Sequence, residues 1–145
     1  MIKDTICSGR EDFTFFVVCD CKRELVQFYY YKETNLCPEI IGIRFFGHVK
    51  GINPSFDRNV TISRDEFNIL LDAIKTDATA EILHMSNFFV VKKDDYGFVH
   101  FINSIDEKQY KKNNFVWDIV VHESVTDELI YKLEEFKYFM EAQDA

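Results

Sequence analysis

The chain has 145 residues and a formal net charge of −8, with 47% hydrophobic and 16% aromatic residues. This composition is unlike that of a disordered segment, and the length corresponds to one domain with a sizeable core. The negative charge disfavours non-specific binding to nucleic acid, because attraction to phosphate depends on lysine and arginine contacts. Residues 121–145 have a net charge of −5 and residues 64–77 of −2, so the acidity belongs mainly to two segments.

Membrane and secretion signals are not expected. No run approaches the roughly 18 apolar residues of a membrane-spanning helix. The opening MIKDTICSGRED alternates charged and apolar residues, whereas a secretory signal has an apolar centre. We therefore expect a cytoplasmic protein without membrane contact.

Four cysteines lie within the first 40 residues: Cys7, Cys19, Cys21 and Cys37. They could form a zinc site, but their spacings do not match paired C-x-x-C ligands. Cys19 and Cys21 are two apart on a predicted strand and would share one face, which suits core packing. We favour buried thiols over zinc ligands, and we expect no metal and no cofactor.

The first half of the chain predicts an antiparallel sheet. Residues 13–21 and 25–31 are rich in Phe, Val and Tyr, and the charged stretch CKRE joins them as in a hairpin. Ile40–Phe46 predicts another strand. Asn59–Ser63 predicts a short one after an irregular, glycine-containing region.

A helix follows, because apolar residues then recur at helical spacing. These residues are Phe67, Leu70, Leu71 and Ile74. Ser63 and Glu66 have the spacing of a capping box, and Asp65 complements the positive end of the helix dipole. The sequence therefore predicts where this helix begins.

The second half follows the same plan. Ile82–Lys92 and Phe98–Ile102 predict strands that a turn connects. Residues 106–114, DEKQYKKNN, predict a polar loop, and Phe115–Val121 predicts a further strand. The closing segment TDELIYKLEEFKYFMEA predicts a helix with Thr126 as its cap.

The two halves also match in sequence. FFVVCDCKRELVQF at residues 15–28 and FFVVKKDDYGFVHF at residues 88–101 align at an offset of 73, which predicts two hairpins of equal length. The helices align at an offset of 62, and we expect the 11-residue difference in the irregular region. Either the chain contains a duplication, or the likeness reflects common strand and helix patterns. We favour duplication.

We therefore predict an α+β fold in which two tandem antiparallel ββββα repeats form one pseudo-symmetric domain. The single domain spans residues 1–145, with repeat one at about 10–78 and repeat two at about 80–143. One helix cannot cover an apolar sheet well, so we expect a shared core through exchanged helices or abutting sheets. Unprotected edge strands predict a homodimer.

The element order resembles the Pur-alpha type of repeat and its Whirly relatives. The resemblance lies in the two hairpin sequences and in NVTISRDEFNILLDAI and VVHESVTDELIYKLEEF. Those families have a strand hairpin with a polar turn, and a last strand that leads into a helix through a short cap. The resemblance implies binding of single-stranded DNA or RNA on the sheet face.

By position, the resemblance implies two kinds of contact residue. Basic turn residues would contact phosphates, and aromatic residues of the returning strands would stack on bases. The contact residues are Lys22, Arg23, Phe28, Tyr30, Lys92, Lys93 and Phe101, with Tyr29 as a further aromatic. The alternative is that Phe28 and Phe101 fill the core and that the lysines are solvated in turns.

No catalytic motif is recognised. The four histidines lie on separate predicted elements without metal-ligand spacing. The sequence contains no phosphate-binding loop, nucleophile elbow or dinucleotide fingerprint. We therefore expect a binding protein rather than an enzyme.

Two functions stay open. The first is single-stranded nucleic-acid binding, which predicts a basic, aromatic strip on the sheet face. The second is an acidic protein-interaction module that docks to a basic partner, for example a small inhibitor or adaptor or a nucleic-acid mimic. The second predicts a contiguous acidic face on the outer side of the two helices. The order of elements favours the first function, and the charge favours the second.

Overall fold

A computed structural model describes residues 2–5, 13–18, 24–47, 56–84 and 87–144. In these ranges the strands form two antiparallel sheets, and each sheet is followed by a helix. The first sheet contains β1 (Ile2–Thr5), β2 (Phe13–Val18), β3 (Glu24–Tyr31), β4 (Ile40–Gly47) and β5 (Phe56–Ile62). The second contains β6 (Thr79–His84), β7 (Asn87–Lys93), β8 (Val99–Ser104) and β9 (Trp117–Val121). Neighbouring strands pair in chain order, which confirms the α+β class and the two-repeat layout.

Three helices lie in the described residues: α1 (Arg64–Thr76), α2 (Glu107–Lys111) and α3 (Thr126–Ala142). The start of α1 is as predicted. Ser63 Oγ accepts from Glu66 N at 3.1 Å, and Glu66 Oε1 accepts from Ser63 N at 2.8 Å. These two bonds satisfy amide groups that the helix itself leaves without partners.

The start of α3 differs from the prediction. A 3₁₀ turn, Glu123–Val125, precedes the helix, and the N-cap residue is Val125, which makes no side-chain cap bond. Thr126 is already helical and buried, and its hydroxyl donates to Gly97 O at 2.7 Å. Thr126 therefore joins α3 to the β7–β8 turn and does not cap the helix.

The second sheet corrects two further predictions. The segment Ile82–Lys92 is not one strand, because β6 and β7 pair antiparallel with His84 opposite Asn87. Residues 106–114 are not simply a loop, because they contain α2, whose N-cap Asp106 accepts from Gln109 N at 2.8 Å. The first sheet also has an unpredicted strand, β1, which pairs with β2.

The two similar hairpins differ in register. In the first, Phe15 lies opposite Phe28, whereas in the second Phe88 lies opposite Ser104, three residues beyond Phe101. An odd shift exchanges the faces of a strand, because successive side chains alternate. Phe15 accordingly belongs to the main core. Phe88 belongs instead to a small separate cluster with Val90 and Ile102. The prediction of equal hairpins is therefore wrong.

One continuous core contains residues of both sheets and of α1 and α3. The ring of Phe45 on β4 lies 5.4 Å from that of Phe101 on β8 and 4.8 Å from that of Trp117 on β9, measured between centroids. The helices are also exchanged: α1 follows the first sheet but lies against β6 and β7, and α3 follows the second sheet but lies against β2. Each repeat thus buries apolar surface that it could not cover alone.

Candidate functional site

The aromatic residues that were expected to stack on bases lie in the core. Phe28 and Phe101 are fully buried, with ring centroids 6.2 Å apart, and Tyr30 is 1% exposed. A base could reach these rings only if the core opened. Their assignment as nucleic-acid contacts is therefore corrected, because both sheets turn these side chains inward and pack them against each other.

The basic residues that were expected to contact phosphates do not form one site in the described residues. Lys22 and Arg23 lie outside the described residues. Lys93 is only 17% exposed and pairs with Asp77, the C-cap residue of α1, at 2.7 Å. Lys92 lies on the outer face of the second sheet, with its Nζ 5.9 Å from the centre of the Tyr110 ring. The structure therefore does not bring Lys92 and Lys93 together in one site.

Basic residues of α2 and of its C-cap lie near Lys92, although they were not predicted as contact residues from the sequence. Lys108, Lys111 and Lys112 are exposed there. Tyr110 packs on Phe88 with ring centroids 5.5 Å apart, so α2 is held against the outer face of the second sheet. Glu107 pairs with Lys111 at 3.0 Å and reduces the local positive charge. We call Lys92, Lys108, Lys111 and Lys112 the basic patch.

An acidic surface is formed by α1 and α3, which lie side by side and run antiparallel. Arg64, the first residue of α1, reaches Asp144, just beyond α3, at 2.6 Å. Lys75 near the end of α1 pairs with Glu134, in the middle of α3, at 3.2 Å. The start of α1 thus lies beside the end of α3, and the end of α1 lies beside the middle of α3, which establishes the antiparallel arrangement. We call the exposed side of these two helices the helical face.

The helical face is strongly acidic. Among the exposed side chains of α1 and α3, six are acidic and one, Lys75, is basic. The acidic ones are Asp65, Asp72, Asp127, Glu128, Glu134 and Glu141. Lys137 is partly exposed and pairs with Glu141 at 3.8 Å, so it offsets part of this charge. Exposed acidic side chains therefore lie on both helices, as the second function requires.

Large apolar side chains lie among these acids. Ile69 on α1 is 50% exposed, and Tyr131 and Tyr138 on α3 are 63% and 79% exposed. They were not predicted from the sequence, although it contains a signal for the two tyrosines. Both tyrosines are out of phase with the buried stripe of α3. That stripe consists of Leu129, Leu133, Phe136 and Met140.

A polar cluster closes one end of the helical face. The Tyr30 hydroxyl donates to Glu39 Oε1 at 2.5 Å, and Arg64 Nε donates to Glu39 Oε2 at 2.9 Å. The hydrogen bond from Arg64 holds the pKa of Glu39 below its usual value, while burial and the Glu39 carboxylate raise the pKa of Tyr30. A polar cavity of about 330 Å³ lies beside them. The charged groups of the cluster already bond each other. We therefore interpret the cluster as a structural contact that holds the β3–β4 connection against the start of α1 and the end of α3.

A histidine between two carboxylates lies on the outer face of the second sheet. His100 Nε2 is 2.8 Å from Asp94 Oδ2, and Nδ1 is 3.2 Å from Asp118 Oδ2. The bond to Asp118, and then the bond to Asp94, raise the pKa of His100 against the opposing effect of burial. Asp94 also accepts from Tyr96 N and Phe98 N, which fixes it in the β7–β8 turn. The arrangement stabilises an imidazolium ion that links this turn to β9.

Neither a metal site nor a membrane-spanning helix is found in the part of the chain that the structure describes. No group of three His, Cys, Asp or Glu side chains there is placed to bind a metal ion. Only Cys37 of the four cysteines falls within it, so the zinc question is not tested. None of the helices in these ranges combines the length and apolar character that a membrane crossing needs.

Comparisons with known proteins do not add a family. No protein-family model, no curated protein and no solved structure matches this chain.

Proposed function

We propose that this protein is a non-enzymatic interaction module whose helical face docks to a basic surface of a partner protein. The supporting observation is the composition of that face, where six exposed acidic residues and one exposed lysine surround three exposed apolar side chains. Charge complementarity accelerates encounter and selects partners, whereas apolar anchors supply much of the affinity. The helical face has both components.

The size of the face is compatible with this role. With 17 residues, α3 is about 25 Å long, and α1 lies alongside at the ~10 Å spacing of packed helices. A platform of roughly 20 by 20 Å covers part of a standard interface of about 800 Å² per partner. Residues of the β3–β4 connection, such as Glu33 and Asn35, line a cavity together with Arg64 and Asp144, so they extend the face at this end.

The first test is binding of labelled peptides, measured by fluorescence anisotropy. A cationic peptide should bind, its affinity should fall steeply between about 0.05 M and 0.5 M salt, and a glutamate peptide should not bind. Charge reversal by Asp72→Lys with Glu141→Lys should weaken cationic binding about tenfold. Both positions lie in the C-terminal halves of their helices, where lysine suits the helix dipole.

The matched control is Glu81→Lys, because Glu81 is an exposed acid on the outer side of the second sheet. It changes the net charge in the same direction but leaves the helical face intact. An equal loss of affinity in the control, after scaling for the number of charges, would show that binding follows net charge alone. Absence of cationic-peptide binding at low salt would remove the proposal.

A second candidate is single-stranded nucleic-acid binding, as the likeness to Pur-alpha and Whirly repeats implies. The observation that favours it is the basic patch, where Lys92 lies over Tyr110 beside three exposed lysines. Lysines and a nearby ring suit a single strand. A labelled oligonucleotide should bind at low salt, and Lys108→Glu with Lys112→Glu should abolish binding. No binding at low salt would exclude this function.

The homodimer also stays a prediction. It would use an outer strand of a sheet, and β1, β5, β6 and β9 are the terminal strands of the two described sheets. Sedimentation velocity over a range of concentrations measures the oligomeric state directly. A single monomeric species at every concentration would exclude the dimer.

A further inference from the structure

Carboxylates and tyrosines alternate along the exposed side of α3. The residues are Asp127, Tyr131, Glu134, Tyr138 and Glu141, at spacings of four, three, four and three. Residues three and four apart on a helix are neighbours on its surface, so these five side chains form one line. We call it the tyrosine–carboxylate ridge.

The tyrosines of the ridge are exposed enough to bind a ligand. Tyr131 and Tyr138 are 63% and 79% exposed, and seven residues of helix separate them by about 10 Å. Glu134 lies between them, so each ring has a carboxylate within one helical turn on either side. The ridge therefore presents flat aromatic surfaces and negative charge at the same place.

We propose that the ridge recognises arginine side chains of the partner in preference to lysine, an inference that rests on the proposed function. A guanidinium group is planar, so it stacks on a tyrosine ring while its edge N–H groups donate to a carboxylate. A lysine ammonium is compact and strongly hydrated, and it cannot make both contacts in that geometry. Alternating rings and carboxylates fit arginine better than a purely acidic surface would.

Nearby cations do not block the ridge. Lys75 pairs with Glu134 at 3.2 Å, with the two side chains 45% and 51% exposed. Lys137 lies 3.8 Å from Glu141. Exposed ion pairs of this kind contribute little free energy, because water screens them. An incoming guanidinium can therefore exchange with these lysines.

The test compares two labelled peptides that differ only in having arginine or lysine at the same positions. We expect the arginine peptide to bind the unmodified protein about tenfold more tightly. Replacing both rings, by Tyr131→Leu with Tyr138→Leu, should reduce arginine binding to the level of lysine and leave lysine binding unchanged. Tyr131→Phe with Tyr138→Phe should retain the preference, because phenylalanine keeps the aromatic face.

Tyr96→Leu is the matched control, because Tyr96 is 81% exposed but lies in the β7–β8 turn. It should not alter the arginine preference. Circular dichroism spectra establish that each variant has the native helix content.

The outcomes separate the two proposals. Equal binding of both peptides to the unmodified protein would overturn the arginine preference, while loss of that binding in Asp72→Lys with Glu141→Lys would still support the docking function. An equal loss of both peptides in the double leucine variant would also overturn it, since the rings would then contribute apolar area alone. If neither peptide binds at low salt, the docking function itself fails.

Discussion

The Arg64 guanidinium binds the carboxylate of Glu39, with Nε 2.9 Å from Oε2. Arg64 begins α1, and Glu39 immediately precedes β4. The same guanidinium reaches Asp144 at 2.6 Å, and Tyr30 donates to Glu39 at 2.5 Å. These contacts join the β3–β4 connection, the start of α1 and the end of α3, and so hold one end of the helical face in place.

Glu39→Gln should destabilise the fold by about 1–2 kcal/mol near neutral pH, because it removes a charged acceptor from a partly buried arginine. The hydrogen bond from Arg64 lowers the pKa of Glu39. Its stabilising contribution is therefore present above the unfolded pKa of about 4.3 and is lost as the pH falls through the folded pKa. Urea unfolding of both proteins at about pH 7 and pH 3 measures this difference.

Glu33→Gln is the control for this experiment, since Glu33 is exposed on the same connection. It should change the free energy of unfolding by less than about 0.5 kcal/mol. A Glu39→Gln cost that is the same at both pH values would contradict the linkage.

His100 should make stability fall as the pH rises. Its pKa is raised, first by the hydrogen bond to Asp118. A raised pKa gives a contribution that is fully present below the unfolded value of about 6.5 and lost as the pH rises through the folded pKa. Relative to His100→Asn, the unmodified protein should therefore lose stability as the pH rises above about 6.5.

The pKa itself can be followed by NMR titration of the imidazole signals. Asp118→Asn should lower the pKa of His100, because it removes the carboxylate whose hydrogen bond contributes most to the shift. An unchanged titration curve in Asp118→Asn would show that the contact at 3.2 Å does not stabilise the imidazolium ion.

Gly42 on β4 leaves space for the side chain of Tyr29, which extends from β3 over β4 to Asn59 on β5. A Cβ atom at this position would lie 2.0 Å from the Tyr29 ring, whose hydroxyl donates to Asn59 at 2.7 Å. Gly42→Ala should therefore cost about 1–3 kcal/mol, because the ring must move and lose its bond. In a Tyr29→Ala background the same substitution should cost much less, and a double-mutant cycle by urea unfolding measures this coupling. Equal costs in both backgrounds would disprove the clash.

Phe101 should matter for stability rather than for surface binding. Its ring is fully buried and lies 5.4 Å from Phe45 across the two sheets, between centroids. Phe101→Ala should destabilise by about 3–5 kcal/mol, whereas the exposed control Tyr96→Leu should change stability by less than about 0.5 kcal/mol. Thermal and urea unfolding test both values. A small effect of Phe101→Ala would mean that the ring is not part of a packed core.

Local sequence signals predicted the elements well where the interactions themselves are local. The capping box of Ser63 and Glu66 involves residues three apart, and the stripe of α3 follows helical spacing. The split of Ile82–Lys92 into two strands was missed, because an apolar run is compatible with one long strand or with two that pair. The exposure of Tyr131 and Tyr138 could have been predicted, because neither residue falls on the buried stripe of α3. It was missed because the closing helix was interpreted from its acidic residues alone.

The matching segments of the two halves do not occupy equivalent places in their sheets. Counting back from each helix, the matching hairpins are not equivalent, because two strands separate β3 from α1 and only β9 separates β8 from α3. The 11-residue difference was expected in an irregular region, but much of it corresponds to a whole extra strand. Short apolar stretches such as FFVV specify a strand without specifying its place in a sheet.

The sequence by itself determined the two long helices, most of the strands and the location of the acidic residues, because periodicity, capping and charge are properties of short segments. Only the tertiary structure decided that Phe28, Tyr30 and Phe101 are enclosed, and that α1 and α3 lie antiparallel with one acidic face. The side of a strand that is buried depends on register and on what packs against it, and both are set by contacts between residues far apart in the chain.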